Sequence, residues 1–144
     1  ALHPGSRDVI PGQVKMTLDM RHWEPEALTA MGDTVSAAIE EICQRHGLTY
    51  ELTPTADFAP EYFNKACVDA VRQGAEKLEL SHMDIISGAG HDAIFIGRVA
   101  PAAMIFIPCK DGISHNEAES ATPGDVHAGC NVLLHAMLEA AGTA

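Results

Sequence analysis

Residues 54 to 60, Pro-Thr-Ala-Asp-Phe-Ala-Pro, open and close on proline. Proline offers no backbone N–H and holds φ fixed, so neither a helix nor a sheet ladder runs through such a stretch. We place a domain boundary there, which divides the chain into residues 1–57 and 58–144. With 144 residues in total, each part has room for one small layered unit.

Before the break, Val14, Met16, Leu18 and Met20 alternate with Gln13, Lys15, Thr17, Asp19 and Arg21. Period two predicts a strand with one wet face, and it sets Arg21 on the same side as Asp19. Pro25 then suits the first turn of a helix. Leu28, Met31, Val35, Ile39 and Ile42 recur at helical spacing, and Gly47 is the expected stop after Arg45 and His46. Leu48, Tyr50 and Leu52 predict a second strand, so the first part reads as strand, helix, strand.

After the break, Phe63, Cys67, Ala70, Val71 and Leu78 predict a helix. A short strand at Met83, Ile85 and Ile86 leads into Ser87-Gly88-Ala89-Gly90-His91-Asp92, a turn that opens a short helix through Ile94 and Gly97. Met104 to Ile107 is a continuous apolar run of the kind buried on both faces of a parallel sheet. Thr122, Pro123 and Asp125 announce a last helix, with Val126, Cys130, Leu133, Met137 and Leu138 as its stripe. Alternating helix and strand make α/β the expected class of this part.

Apolar residues are 47% of the chain, enough for a core, and the formal net charge is -11. No Lys/Arg cluster exists to neutralise phosphates, which argues against a nucleic-acid partner. No apolar run approaches the ~20 residues that span a bilayer. The start, ALHPGSRD, has neither the basic nor the apolar region of a signal peptide, and no initiator Met. Cys43, Cys67, Cys109 and Cys130 form no CxxC pair. Four reduced thiols, acting as small apolar fillers in a cytoplasmic protein, are therefore expected.

Three places carry candidate chemistry. The polar run KDGISHNEAES, residues 110 to 120, follows the apolar run at 104–107 directly. In open α/β sheets, ligands bind beyond the carboxyl ends of the strands. His115 there reads either as a metal ligand or general base on a rigidly held loop, or as a histidine hydrogen-bonded in a surface loop. The turn SGAGHD reads either as an anion cradle at a helix start or as a tight strand-to-helix turn; it is neither GxGxxG nor a P-loop. Arg21 reads as a carboxylate fork, or as a strand-end residue paired with Asp19. His3, His22, His46, His82, His127 and His135 show no HExxH-type pairing, and Cys109 with His115 makes a poor zinc pair.

Four segments occur together and in order: SRDVIPG at 6–12, TLDMRH at 17–22, SGAGHDA at 87–93 and AAMIFIPCKDGISHNEAE at 102–119. In these the chain resembles the carboxyl-terminal part of the amidase/hydantoinase–carbamoylase family. That family comprises N-carbamoyl-L-amino-acid hydrolases, allantoate amidohydrolases and β-ureidopropionases, within the dinuclear-metal aminoacylase/carboxypeptidase superfamily. The resemblance implies a portion of an α/β metallohydrolase catalytic domain, residues 58–144, preceded by the second half of an α+β lid and dimerisation domain, residues 1–57. It implies hydrolysis of a carbamoyl (ureido) C–N bond by water held between two divalent metals, zinc or manganese. By position it makes His115 a metal ligand and Arg21 the residue that grips the substrate carboxylate. It sets His91, Asp92, Ser114 and Asn116 at the border of the active site. The implied partners are a small ureido substrate, an amino-terminal portion of the enzyme, and a second copy in a homodimer.

Two departures qualify this. Where the family usually has an Asn that donates to the substrate carboxylate, this chain has Asp8. An ionised Asp8 repels a carboxylate a few ångströms away by ~1 to 4 kcal/mol, depending on screening. The other metal ligands and the general-base Glu belong to segments outside this chain, and Glu117 and Glu119 inherit no such role. The expectation is therefore a piece of an amidohydrolase, inactive and weakly zinc-binding alone, with apolar surface and sheet edges that another segment or copy must cover. The competing expectations are a non-catalytic dimerisation module of the same family, and a small α/β anion binder using SGAG.

Overall fold

The structure, a computed structural model, describes residues 1–142. The chain falls into two compact units, Ala1–Pro60 and Glu61–Ala144.

In the first unit, β1 (Leu2–His3) pairs antiparallel with β2 (Gln13–Val14), Leu2 opposite Val14 and His3 opposite Gln13. Helix α1 spans Pro25–His46. Pro25 stands in its first turn, where a missing N–H costs nothing. His22 Nδ1 accepts the Glu24 N–H at 3.0 Å just before the helix. Gly47 ends the helix at φ 63°, a left-handed conformation that only glycine enters freely. There its N–H donates to the Gln44 carbonyl, and the Leu48 N–H to the Cys43 carbonyl.

In the second unit, α2 (Lys65–Lys77) starts at Asn64, whose Oδ1 accepts the N–H groups of Ala66 and Cys67. The short α3 covers Asp92–Gly97, and a 3-10 turn covers Lys110–Gly112. Helix α4 runs Pro123–Ala140. Its Thr122 cap is legible in the sequence: Oγ1 accepts the Asp125 N–H at 3.1 Å, and the hydroxyl reaches Asp125 Oδ2 at 2.5 Å. Helices α2 and α4 pack together. Gly74 faces Val132 and His135, and Lys77 pairs with Glu139 at 3.3 Å, so the two helices run in the same direction. Ala70, Ala75 and Val132, all on these two helices, are the only buried hydrophobic side chains among the described residues.

The sheets expected from period two are largely not formed. Among the described residues the only sheet is β1–β2, so the fold is mostly helical with one small antiparallel pair. Of the strand expected over 13–21, only Gln13–Val14 forms, with the Lys15 N–H on the Ala1 carbonyl beside it; 48–52, 83–86 and 104–107 are not strands. A helix satisfies its backbone polar groups within itself, whereas a strand needs a neighbour to take them. Yet the residues at 103–107 keep their alternation. Ala103, Ile105 and Ile107 line one apolar cleft with Val71 of α2 and Val126, Gly129, Cys130 and Leu133 of α4.

The surface is large for the mass. A folded monomer of 15.3 kDa exposes about 7,100 Å², whereas this chain exposes 11535 Å². Ile10, Ile86, Phe106 and Met137 are among the exposed apolar side chains. The four thiols are free, and they are not the buried fillers expected: Cys43, Cys67 and Cys109 are half-buried and Cys130 is exposed. No helix among the described residues is long and apolar enough to cross a membrane.

Candidate functional site

The loop from Cys109 to Ala121 is drawn closed at its neck, where the Lys110 N–H donates to the Ser120 carbonyl at 2.7 Å. The 3-10 turn follows the neck, with the Gly112 N–H on the Cys109 carbonyl and the Ile113 N–H on the Lys110 carbonyl. On the return side, Asn116 folds the chain back. Its Oδ1 accepts the Ala118 N–H at 2.9 Å and its carbonyl accepts the Glu119 N–H at 2.9 Å.

His115 sits at the tip with φ 55°, the left-handed region that a β-carbon disfavours. Two contacts hold it. Glu119 Oε2 accepts its backbone N–H at 2.8 Å, and the Ser114 hydroxyl lies 3.1 Å from its Nδ1. Its Nε2 has no hydrogen-bond partner among the described residues. An imidazole anchored at one nitrogen and open at the other is what a metal ligand requires. The sequence brings Ser114, His115 and Asn116 together by adjacency, and the structure gives each a distinct part in the loop. Sequence reasoning does not single out Glu119 for this bracing role. Its only signal is a carboxylate four residues after the histidine.

The turn at 87–92 is organised around one hydroxyl. Ser87 Oγ accepts the Ala89 N–H at 3.2 Å and lies 2.6 Å from His91 Nε2. The His91 ring then meets the Phe106 ring edge-on, with centroids 5.5 Å apart. Phe106 thus points away from the Ala103–Ile105–Ile107 side and toward the turn. Asp92 occupies the first turn of α3, where a carboxylate suits the helix start. Neither the Ser87–His91 contact nor the His91–Phe106 contact is visible in the spacing.

In the first unit, Arg21 forks Asp19: Nε to Oδ1 at 2.9 Å and Nη2 to Oδ2 at 2.7 Å. The pairing of Arg21 with Asp19 that their shared strand face suggested is present. The hydrogen bonds from Arg21 hold the Asp19 carboxyl below its ordinary value, and those to Asp19 raise the Arg21 guanidinium. Both side chains are exposed. Asp8 lies in an exposed turn, with its N–H directed at Ser6 Oγ at 3.4 Å.

The donor set limits what this chain can hold. Among the described residues no three His, Cys, Asp or Glu side chains stand close enough to enclose a metal ion. A dinuclear hydrolytic centre needs several such ligands. The chain therefore does not fit two metals by itself; at the 109–121 loop it presents one exposed histidine, His115.

A family model described as peptidase family M20/M25/M40 matches residues 2–139. The N-carbamoyl-L-amino-acid amidohydrolase of Rhizobium meliloti is 44% identical over 138 residues, covering 96% of this chain and 33% of that protein. The allantoate amidohydrolase of Escherichia coli (strain K12) is 34% identical over 131 residues, covering 90% of this chain and 32% of its own length. Among solved structures, an amidase of the hydantoinase/carbamoylase family from Burkholderia multivorans superposes with a TM-score of 0.90. It is 48% identical, across 96% of this chain and 34% of that one. The chain thus spans about a third of the length of the curated relatives it matches.

Proposed function

This chain belongs to peptidase family M20/M25/M40, and from that premise we propose that it is part of a metal-dependent amidohydrolase. The bond cleaved is the carbamoyl C–N bond of N-carbamoyl amino acids or of allantoate-like substrates. The observation that carries the reading is the closed loop 109–121, which presents His115 with Nδ1 engaged and Nε2 open. His115 is assigned as one metal ligand. Arg21 is assigned to the substrate carboxylate, with Asp8 close to the same carboxylate, and His91, Asp92, Ser114 and Asn116 to the border of the site.

Two divalent metals, zinc or manganese, would supply an activated water when bound. Their remaining ligands and the general base are assigned to segments outside this chain, so no hydrolytic step is written through its residues. What His115 and its loop do is hold one nitrogen in a fixed direction. What Arg21 does is offer a planar pair of donors to a carboxylate.

In this reading residues 58–144 form the carboxyl-terminal part of an α/β catalytic domain. Residues 1–57 form the second half of a lid and dimerisation domain, in a cytoplasmic homodimer. Supporting the α/β assignment, α2 and α4 run in the same direction and both lie on the Ala103–Ile105–Ile107 side of one apolar segment. That is how helices cover one face of a parallel sheet. The large exposed apolar surface supports a covering by further polypeptide.

The test is hydrolysis of N-carbamoyl amino acids and allantoate by the full-length protein, with and without a chelator, beside His115→Ala. The expected outcome is activity that the chelator abolishes and that His115→Ala lowers by at least about a hundredfold. Activity of His115→Ala within twofold of the parent would overturn the assignment. In the isolated 144-residue chain, calorimetry is expected to find zinc binding weaker than micromolar.

A further inference from the structure

We infer that Ser87 is a positioning residue: its hydroxyl donates to Nε2 of His91 and so keeps the ring proton, and the donor the ring can offer, on Nδ1. The inference rests on the assignment of His91 to the border of the active site. Ser87 Oγ and His91 Nε2 are 2.6 Å apart. Such a separation lies within the range of hydroxyl donors, about 2.5–3.0 Å, and short of the range of N–H donors, about 2.7–3.2 Å. The Ser87 oxygen already accepts the Ala89 N–H at 3.2 Å, and its one hydrogen remains to be given. A neutral imidazole that accepts at Nε2 carries its proton on Nδ1.

The ring is not spent on the helix it precedes. His91 stands just before α3 with extended backbone, φ -133° and ψ 148°, and its carbonyl accepts the Ile94 N–H at 3.0 Å. A polar side chain at that position ordinarily accepts from the first N–H groups of the helix. That of His91 makes no such bond. It turns to Ser87 instead, while Phe106 meets it edge-on with centroids 5.5 Å apart. Backbone, hydroxyl and aromatic ring together fix its direction, and its Nδ1 has no hydrogen-bond partner among the described residues. A donor whose direction is set before substrate arrives costs little reordering when it is used.

The experiment records nitrogen NMR spectra of the full-length protein, labelled at histidine, at about pH 8.5, where an ordinary imidazole is neutral. His91→Ala identifies the His91 signals by their loss. The parent is compared with Ser87→Ala, Ser87→Thr and Ser87→Asp, and kcat/KM for N-carbamoyl amino acids is measured for each. Ser87→Thr keeps the hydroxyl. Ser87→Asp keeps an acceptor for the Ala89 N–H and has no proton to give. Expected are an Nδ1–H ring in the parent and in Ser87→Thr, an Nε2–H ring in Ser87→Asp, and a mixture in Ser87→Ala. The worth of one hydrogen bond is about tenfold, so kcat/KM is expected to fall by about that factor in Ser87→Ala and Ser87→Asp and to stay within about threefold of the parent in Ser87→Thr.

An Nε2–H ring in the parent overturns the inference, and so do His91 signals in Ser87→Ala and Ser87→Asp identical to those of the parent. A tautomer that moves in Ser87→Asp while kcat/KM holds makes the bond a brace of the turn alone and overturns the positioning role. Parent-like kcat/KM in His91→Ala overturns the placement of His91 at the site, and with it the part of Ser87 in the reaction. A tautomer that still follows residue 87 tells that failure from the absence of the bond. If Ser87→Ala does not fold, Ser87→Asp, which preserves the turn's bond to Ala89, carries the test.

Discussion

Ile107 rests directly on Gly129: a β-carbon placed on that glycine would stand 2.6 Å from Ile107 Cγ2. The side chain that begins the approach to the candidate loop thus packs into the notch that a missing side chain leaves in α4. Gly129 is a helix-interior glycine, a position where alanine would ordinarily be worth about 1 kcal/mol in helix propensity. Here contact reverses the sign.

Gly129→Ala is expected to destabilise the protein by roughly 1 to 3 kcal/mol, the usual cost of overpacking. Ile107→Ala removes the clashing methyl, so the two substitutions together should cost less than their sum. Chemical denaturation of the four members of the cycle measures this. Additive costs would mean that Ile107 and Gly129 do not touch. Gly32, in α1, has nothing within 4 Å of the place a β-carbon would take, and Gly32→Ala is expected to be neutral or stabilising.

Arg21 is expected to govern affinity for the substrate carboxylate. Charged hydrogen bonds are worth about 1.5 to 3 kcal/mol, so Arg21→Ala should raise KM for N-carbamoyl amino acids by roughly 10- to 100-fold. An uncharged amide analogue of the same substrate should be affected much less. Equal losses on both substrates would remove the carboxylate from Arg21.

Asp8 carries a prediction about preference. If its charge faces a substrate carboxylate, Asp8→Asn should improve kcat/KM for N-carbamoyl amino acids, and the gain should shrink as salt is added. Turnover unchanged by Asp8→Asn at low and high salt would show the charge at this position to be irrelevant.

Two aspartates set an acid limit. Hydrogen bonds from Lys65 and then Arg72 hold the Asp69 carboxyl below its ordinary value of 3.8, and Arg21 does the same for Asp19. A carboxyl whose folded pKa is depressed lends stability that is fully present above its unfolded pKa. That stability is lost as the pH falls through the folded value. Both pairs are therefore intact at neutral pH and fail below 3.8. Carboxyl carbon NMR titration should give midpoints below 3.8 for both groups; midpoints at or above that value would refute the pairing.

Local signals decided the helices. Pro25 with Gly47, and Thr122 with Pro123 and Asp125, mark ends whose hydrogen bonds lie within a few residues of the signal. The loop carrying His115 is legible for the same reason, as a polar run with its own turn-forming Asn116 after an apolar segment. The apolar spacing of α2 hides its cap: Asn64 starts the helix, which begins at Lys65 instead of including Phe63.

The tertiary structure alone decided what depends on groups distant in sequence or on partners for unpaired edges. The alternation at 103–107 has the period of a strand and faces α2 and α4 accordingly, but a ladder needs a second strand, and β1–β2 is the only sheet among the described residues. The seat of Ile107 on Gly129 and the meeting of His91 with Phe106 join residues 15 or more positions apart, and no periodicity encodes such contacts. The bond from the His115 N–H to Glu119 spans only four residues, yet it exists because the neck at Lys110 and Ser120 bends the chain back on itself. Sequence determines structure at short range, where hydrogen bonds close locally; the direction of a side chain at the site follows from how the chain is folded around it.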